Sequence, residues 1–150
     1  MSKLGAGQLL LVQAAGTAVG QYAIQFAQRR MAVVIATVHT EEERHIVKDL
    51  GVDPARIRHD DDPDMAAAIS GATSRKGLDV ILNQSATAGI LQSLWKSLAA
   101  NRVLVDVDAD STDHDDVQSS LAPFRRGATY ATVNLGNLLQ DDPSRLARVL

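Results

Sequence analysis

The chain has 150 residues, of which 45% are hydrophobic and 22% charged, values typical of one globular domain with a sizeable core. Its formal net charge of −3, without a basic run, argues against a nucleic-acid or anionic-membrane partner, because either would need a basic patch. It contains no cysteine, which excludes disulfides and thiolate zinc sites and suits a reducing compartment, so we expect a cytoplasmic protein.

Apolar runs of strand length alternate with helix-like segments along the whole chain. Strands are predicted at Gln8–Ala14, Val33–Val38, Asp79–Asn83, Val103–Val105 and Ala128–Val133. Helices are predicted at Val19–Arg30, Glu41–Leu50, Met65–Ala72 and Ala88–Ala99, and from about Pro143. Thr40 before three glutamates is typical of a helix cap and an acidic first turn. The alternation predicts an α/β fold, a Rossmann-type doubly wound parallel sheet with helices on both faces.

A turn of small residues joins the first strand to the first helix, where such folds bind pyrophosphate. The helix N-terminus offers unpaired N–H groups, and three glycines let the backbone meet the phosphates and let the helix pack on the strand. Here the three glycine positions hold Ala15, Thr17 and Gly20, so only the packing glycine remains. Thr17 and Ala18 add side chains where the backbone should meet phosphate. The turn therefore predicts either a damaged dinucleotide cradle or an ordinary strand–helix connection.

Several motifs, in order along nearly the whole chain, resemble the enoylreductase domains of highly reducing fungal polyketide synthases. Gln13–Gln25 resembles the family's Ala-Ala-Ala-Gly-Gly-Val-Gly-Gln-x-Ala-Ile-Gln stretch. Further similar segments are Ala36–Glu42, Gly77–Asn83, Trp95 with Leu98–Ala99, Pro123–Phe124 and Asp142–Leu146. These domains belong to the medium-chain dehydrogenase/reductase superfamily of oxidoreductases. The resemblance implies that residues 1–150 form the nucleotide-binding subdomain and that the substrate-binding subdomain is absent.

The resemblance also implies a reaction, in which NADPH gives hydride to the β-carbon of an enoyl thioester. A lysine after the fifth strand and an aspartate after the sixth are the family's proposed helpers. Those positions fall at Asp108, if one residue is deleted near Asn101, and at Asn134. An amide has no proton to give at neutral pH, and no lysine occurs after Lys96 in any register. Catalysis is therefore expected to be lost or impaired.

The cofactor end departs from the family as well. Where the family has a lysine–arginine pair to hold the 2′-phosphate of NADPH, this chain has Glu43 and Arg44. No acidic residue closes the second strand, so a change to NAD is not indicated by the sequence. The family's Asn-Ser-Leu-Ser-Gly has become residues 83–87 here. The degenerate cofactor site is assigned to Ala15, Gly16, Thr17, Ala18, Val19, Gly20, Thr40, Arg44 and Asn83, and we expect no NADPH to be bound.

Other polar residues give weaker indications of a functional site. His59 with Asp60–Asp62, and His114 among its neighbouring aspartates, lack the spacing of a calcium loop and are interpreted as solvated acidic loops rather than metal sites. His39 lies near the expected ribose position, but a lone exposed histidine is usually without a role. Trp95 is expected in the core, because it shares a helix face with leucines. Ser85, Thr87, Ser119 and Ser120 have no histidine and acid at a triad-like spacing.

The preferred hypothesis is a structural pseudo-enzyme within an iterative type I polyketide synthase of secondary metabolism. Some such synthases use a separate trans-acting enoylreductase, so this enzyme, the other synthase domains and a second copy of the chain are the expected partners. Three alternatives remain open: an active NADPH-dependent enoylreductase, a nucleotide-binding module without turnover, and part of a free-standing quinone reductase. The pattern of Leu146–Leu150 indicates a helix that continues, so we expect a fragment of a larger protein.

Overall fold

The computed structural model describes residues 4–84, 88–107 and 122–133. The strands within these ranges are β1 (Leu9–Val12), β2 (Val33–Val38), β3 (Ile57–His59), β4 (Leu78–Asn83), β5 (Leu98–Val107) and β6 (Thr129–Val133). The helices are α1 (Ala18–Arg29), α2 (Glu41–Asp49), α3 (Met65–Ala72), α4 (Ala88–Lys96) and the single turn α5 (Ala122–Arg125), with a 3-10 turn at Pro54–Arg56. No helix among the described residues is long and apolar enough to span a bilayer.

The six strands form one sheet in the order β3-β2-β1-β4-β5-β6, and every neighbouring pair is parallel. The chain moves outward from β1 to β3, then crosses back to β4 on the other side of β1. The switch point therefore lies between β1 and β4, and ligands of such sheets bind outside the carboxyl ends of the strands at this point. The Rossmann-type doubly wound fold expected from the sequence is confirmed.

Two hydrophobic clusters cover the two faces of the sheet. One contains Leu10 and Val12 of β1 with Ala23 of α1 and Val47 of α2. The other contains Leu11, which points the opposite way along the same strand, with side chains of α3 and α4. Helices on both faces are thus a consequence of strands that are apolar on both sides.

Trp95 is fully buried in the second cluster, as the sequence predicted. Its ring makes edge contacts with Phe124 and Tyr130, with centroid distances of 5.0 and 6.0 Å. The tryptophan therefore joins α4 to α5 and β6 through aromatic packing.

The predicted helix at residues 88–99 is wrong at its end, because α4 stops at Lys96 and Leu98 already belongs to β5. Leu98 pairs with Leu78, but the next aligned pair is Val80 with Val103, so β5 carries extra residues in a bulge. Asn101 within the bulge has a φ of 58°. The short strand β3 was not predicted, since three residues give too little pattern. The helix predicted from Pro143 lies outside the described residues.

Gly20 is where α1 packs directly against the turn that follows β1. A Cβ atom there would lie 2.7 Å from both the Cα and the carbonyl oxygen of Ala15. Real side chains do not approach backbone so closely, so the glycine is required by packing, as the sequence suggested.

We predict that Gly20→Ala lowers the free energy of unfolding by about 1–3 kcal/mol, because the methyl group must push α1 away from β1. Gly71→Ala is the matched control, since a Cβ atom at this helical glycine would meet nothing within 4 Å. It should raise stability by about 0.5–1 kcal/mol. Urea denaturation of both variants measures the difference, and equal effects would contradict the packing role of Gly20.

Candidate functional site

The candidate site is the turn between β1 and α1, at the carboxyl edge of the sheet beside the switch point. Ala15 is buried, and its N–H donates to the carbonyl oxygen of Thr37 at 2.9 Å, which ties the turn to β2. Ala18 begins α1, and Val19 packs partly against the core. The residues of the turn thus lie together where the sequence placed the cofactor cradle.

Thr17 is the N-cap of α1. Its Oγ1 accepts a hydrogen bond from the backbone N–H of Gly20 at 3.1 Å. The same hydroxyl lies 2.9 Å from the carbonyl oxygen of Ala14 and 2.9 Å from Oε1 of Gln84, and its single hydrogen can serve one of them at a time. The side chain therefore satisfies one of the N–H groups that a helix N-terminus would offer to phosphate.

Gln84, directly after β4, bridges the switch point. Its Nε2 donates to the carbonyl oxygen of Gln13 at 2.9 Å and lies 3.4 Å from that of Ala14, while its Oε1 faces the Thr17 hydroxyl. We call this pair, Thr17 and Gln84, the cross-brace. It joins the carboxyl end of β4 to the end of β1 and to the first turn of α1. The sequence identified Gln84 only as part of a segment that departs from the family. It could not predict this contact, because Thr17 lies 67 residues away along the chain.

Glu43 lies against the other side of the turn. Thr40 caps α2 through a 3.2 Å bond from the Glu43 N–H, as predicted, and the Glu43 side chain turns back so that Oε2 accepts from the His39 N–H at 2.6 Å. A Cβ atom at Gly16 would lie 2.5 Å from Cγ of Glu43. Although no acidic residue closes β2 in sequence, α2 returns a carboxylate to the end of that strand.

Arg44, the expected remnant of the 2′-phosphate clamp, is turned towards β3. Its Nη1 donates to the carbonyl oxygen of Ile57 at 3.1 Å, and its Nε lies 3.6 Å from the carboxylate of Glu41. The guanidinium thus has structural partners already. The sequence could not show this, because the carbonyl of Ile57 is brought to Arg44 only by the pairing of β3 with β2.

The described residues do not fit NADPH. The cross-brace uses donor and acceptor groups at the pyrophosphate turn, and the Glu43 carboxylate occupies the side of Gly16 that faces the end of β2. A 2′-phosphate would meet this carboxylate rather than a free cation. Of the three glycine positions of the cradle, only position 20 still holds a glycine.

Two histidines at the carboxyl ends of β2 and β3 each pair with a carboxylate. Nδ1 of His39 contacts Asp60, while His59 has Nδ1 at 2.5 Å from Asp61 and Nε2 at 2.7 Å from the His39 carbonyl oxygen. The two rings stack with centroids 6.2 Å apart. The hydrogen bond to Asp61 and the carbonyl of His39 raise the pKa of His59, because both nitrogens donate only in the protonated ring.

Asn83, also expected near the cofactor, takes part in a polar network at the ends of β4, β5 and β6. Its Nδ2 donates to Oδ1 of buried Asp106 at 2.8 Å, and the Tyr130 hydroxyl donates to Oδ2 at 2.5 Å. Burial, together with the Asp106 carboxylate, raises the pKa of the Tyr130 phenol well above its usual range. The sequence did not identify Asp106 or Tyr130, since strand residues of this kind give no local signal.

Asp108 and Asn134, the degenerate catalytic positions, lie outside the described residues, as do Ser85, Thr87, His114, Ser119 and Ser120.

Most of the chain, residues 18–148, matches the zinc-binding dehydrogenase family. The chain therefore belongs to this family. It has no cysteine, and within the described residues no three His, Asp or Glu side chains are grouped to hold a metal ion, so this part does not fit zinc.

The chain is similar to parts of large fungal enzymes. It is 31% identical over its whole length to the reducing polyketide synthase rdc5 of Metacordyceps chlamydosporia, and spans 6% of that protein. It is 33% identical over 95% of its length to the highly reducing polyketide synthase 40 of Fusarium pseudograminearum, again spanning 6% of it.

Among solved structures, the fold matches the nucleotide-binding subdomain of the PpsC enoylreductase domain from Mycobacterium tuberculosis. The TM-score is 0.76 at 24% identity, over 97% of this chain and 79% of that one. A putative enoyl reductase domain of a polyketide synthase also matches, with a TM-score of 0.75 at 25% identity, over 97% of this chain and 78% of that one. The predicted resemblance to the enoylreductase domains of polyketide synthases is confirmed.

We predict that His59 contributes a pH-dependent stability. Its folded-state pKa lies above the ordinary 6.5, so the stabilisation is fully present below that pH and is lost as the pH rises through the folded-state pKa. In His59→Gln, urea denaturation across this range should show a flatter pH dependence. His45→Gln, at an exposed histidine of α2, is the control and should keep the wild-type slope. Identical slopes in all three proteins would contradict the pairing.

We also predict that Tyr130→Phe lowers the free energy of unfolding by about 1.5–3 kcal/mol, because the buried Asp106 carboxylate loses a hydrogen-bond donor. Tyr22→Phe, at a tyrosine of α1 that is 43% exposed, is the control and should change little. Thermal unfolding measures both; a neutral Tyr130→Phe would show that the network contributes nothing to stability.

Proposed function

We propose that the chain is the cofactor subdomain of an enoylreductase unit in a reducing polyketide synthase, kept for its architecture and unable to support reduction. Its family and its fungal relatives support the origin. A packed core on both faces, combined with a cofactor turn filled by the protein's own side chains, supports the loss of activity.

The observation that carries this proposal is the cross-brace. An open cradle presents backbone N–H groups and a positive helix end to the pyrophosphate. In this chain Thr17 caps that helix end. Gln84 donates through Nε2 to carbonyl oxygens of the turn, and its Oε1 lies 2.9 Å from the Thr17 hydroxyl. A pyrophosphate would have to displace these bonds, and their loss would offset part of its binding free energy.

The expected catalytic positions point the same way. Asn134, where the resemblance calls for an aspartate, cannot supply a proton, and Asp108 would repel a developing oxyanion instead of stabilising it. Hydride transfer to an enoyl thioester places negative charge on the thioester oxygen, so a catalyst needs a donor or a cation there. Asp108 is neither, and the Asn134 amide can donate a hydrogen bond but has no proton to transfer at neutral pH.

A subdomain that does not support reduction would act through contacts between its surface and other proteins. In this proposal its partners are the neighbouring domains of the synthase and, in solution, a second copy of the unit. A separate enoylreductase acting in trans would then supply the reduction that this unit does not perform.

We predict that calorimetric titration of the wild-type chain with NADPH gives no binding at sub-millimolar cofactor. The double variant Thr17→Gly/Gln84→Ser removes the cross-brace but keeps Glu43, so its effect is measured with NADH, which has no 2′-phosphate. The variant should bind NADH at least about tenfold more tightly than the wild type does. Glycine is an adequate helix cap, so the variant should remain folded.

Gln28→Ser is the matched control, because Gln28 also donates its Nε2 to a carbonyl oxygen, that of Leu50, far from the turn. It should bind NADH no better than the wild type. A micromolar dissociation constant for the wild type would contradict the proposal, and a double variant without any gain would show that the cross-brace does not close the cradle.

A further inference from the structure

The carboxylate of Glu43 is held at one defined corner of the sheet edge. Its Oε2 accepts from the His39 N–H at 2.6 Å, and its side-chain carbons lie so close to Gly16 that any side chain at position 16 would collide with them. The first turn of α2 is itself fixed by the Thr40 cap. The charge is therefore fixed between the end of β2 and the turn after β1.

Among the residues that the structure describes, the cations around this corner have acidic or carbonyl partners. Arg44 contacts the Ile57 carbonyl oxygen and lies near Glu41, and the ring of His39 contacts Asp60. His59 pairs with Asp61. Glu43 is thus the charged group that lies against the turn itself, and it is negative.

In doubly wound folds the adenosine ribose lies between the end of β2 and the first turn, where an acidic side chain accepts a hydrogen bond from the 2′-hydroxyl. We infer that Glu43 is a specificity-determining residue, which makes this corner a site for an adenine nucleotide with a free 2′-hydroxyl and excludes a 2′-phosphate. The preference would be opposite to the NADPH that the resemblance implies. A carboxylate and a phosphate in contact repel each other, whereas a carboxylate and a hydroxyl form a hydrogen bond.

This inference does not rest on the closed pyrophosphate turn. It concerns the ribose corner, which can be examined with ligands that carry only the adenosine end of the cofactor. Adenosine 5′-monophosphate and adenosine 2′,5′-bisphosphate differ by the 2′-phosphate alone.

The experiment is an NMR titration of the wild-type chain with each of the two nucleotides, at low and at moderate salt. We expect the 5′-monophosphate to bind at least about tenfold more tightly than the 2′,5′-bisphosphate, with a smaller ratio at the higher salt concentration. Equal or inverted affinities would overturn the inference. Failure of both nucleotides to bind would also overturn it, while leaving the proposed loss of reduction intact.

Glu43→Gln keeps the shape of the side chain and an oxygen for the His39 N–H, but removes the charge. The tenfold ratio should fall towards unity in this variant. Glu42→Gln, at the exposed neighbour on the same helical turn, is the matched control and should keep the wild-type ratio. A ratio unchanged in Glu43→Gln would show that another group sets the preference. Tight NADPH binding by the wild type would overturn both the proposed function and this inference. Tight NADH binding without NADPH binding would overturn only the proposed function.

Discussion

The close approach of α1 to the turn that follows β1 is the constraint on which the rest of the structure depends. Gly20 lets the helix lie directly over the turn, with no room for a single Cβ atom between them. This contact sets where α1 begins, and so brings its N-terminus to the carboxyl edge of the sheet beside β4. The same geometry serves a dinucleotide in open cradles. In this chain it serves the protein's own side chains.

The N–H groups at the start of a helix need partners whether or not a ligand is present. Where a cofactor provides the partners, the N–H groups of the apo protein are hydrogen-bonded to water. Where side chains provide the partners, the helix end is stabilised, but a ligand must compete with those side chains. Thr17 and Gln84 represent the second solution. Because Gln84 also holds carbonyl oxygens of the turn, the brace links two strands as well as capping a helix. At the start of α1, the hydrogen bonds that stabilise the helix end are therefore the ones that a phosphate ligand would have to displace.

The charges around the edge are arranged in the same way. Arg44, His39 and His59 each have a protein partner, and the buried Asp106 is held by Asn83 and Tyr130. A site prepared for an anionic cofactor would leave cations free at its rim. Here the Glu43 side chain lies against the turn at Gly16, so a negative charge lies beside the turn. The doubly wound fold is retained, while the charged groups described at this edge are paired with other groups of the protein.

The sequence by itself determined the fold class, the bounds of β2 and α3, the Thr40 cap, the packing role of Gly20 and the core position of Trp95. Each of these depends on local apolar periodicity or on residues within a turn of one another. It also predicted where a cofactor turn would lie and that this turn departs from the pattern of the family. Only the tertiary structure decided how. The partners of Gln84 and Asp106, the Ile57 carbonyl oxygen at Arg44 and the contact of Glu43 with Gly16 all come from other segments of the chain, and β3 and the β5 bulge are set by strand pairing. Hydrogen bonds between distant segments leave no periodic signal, because they need only one suitable atom at each end, which the fold alone brings together.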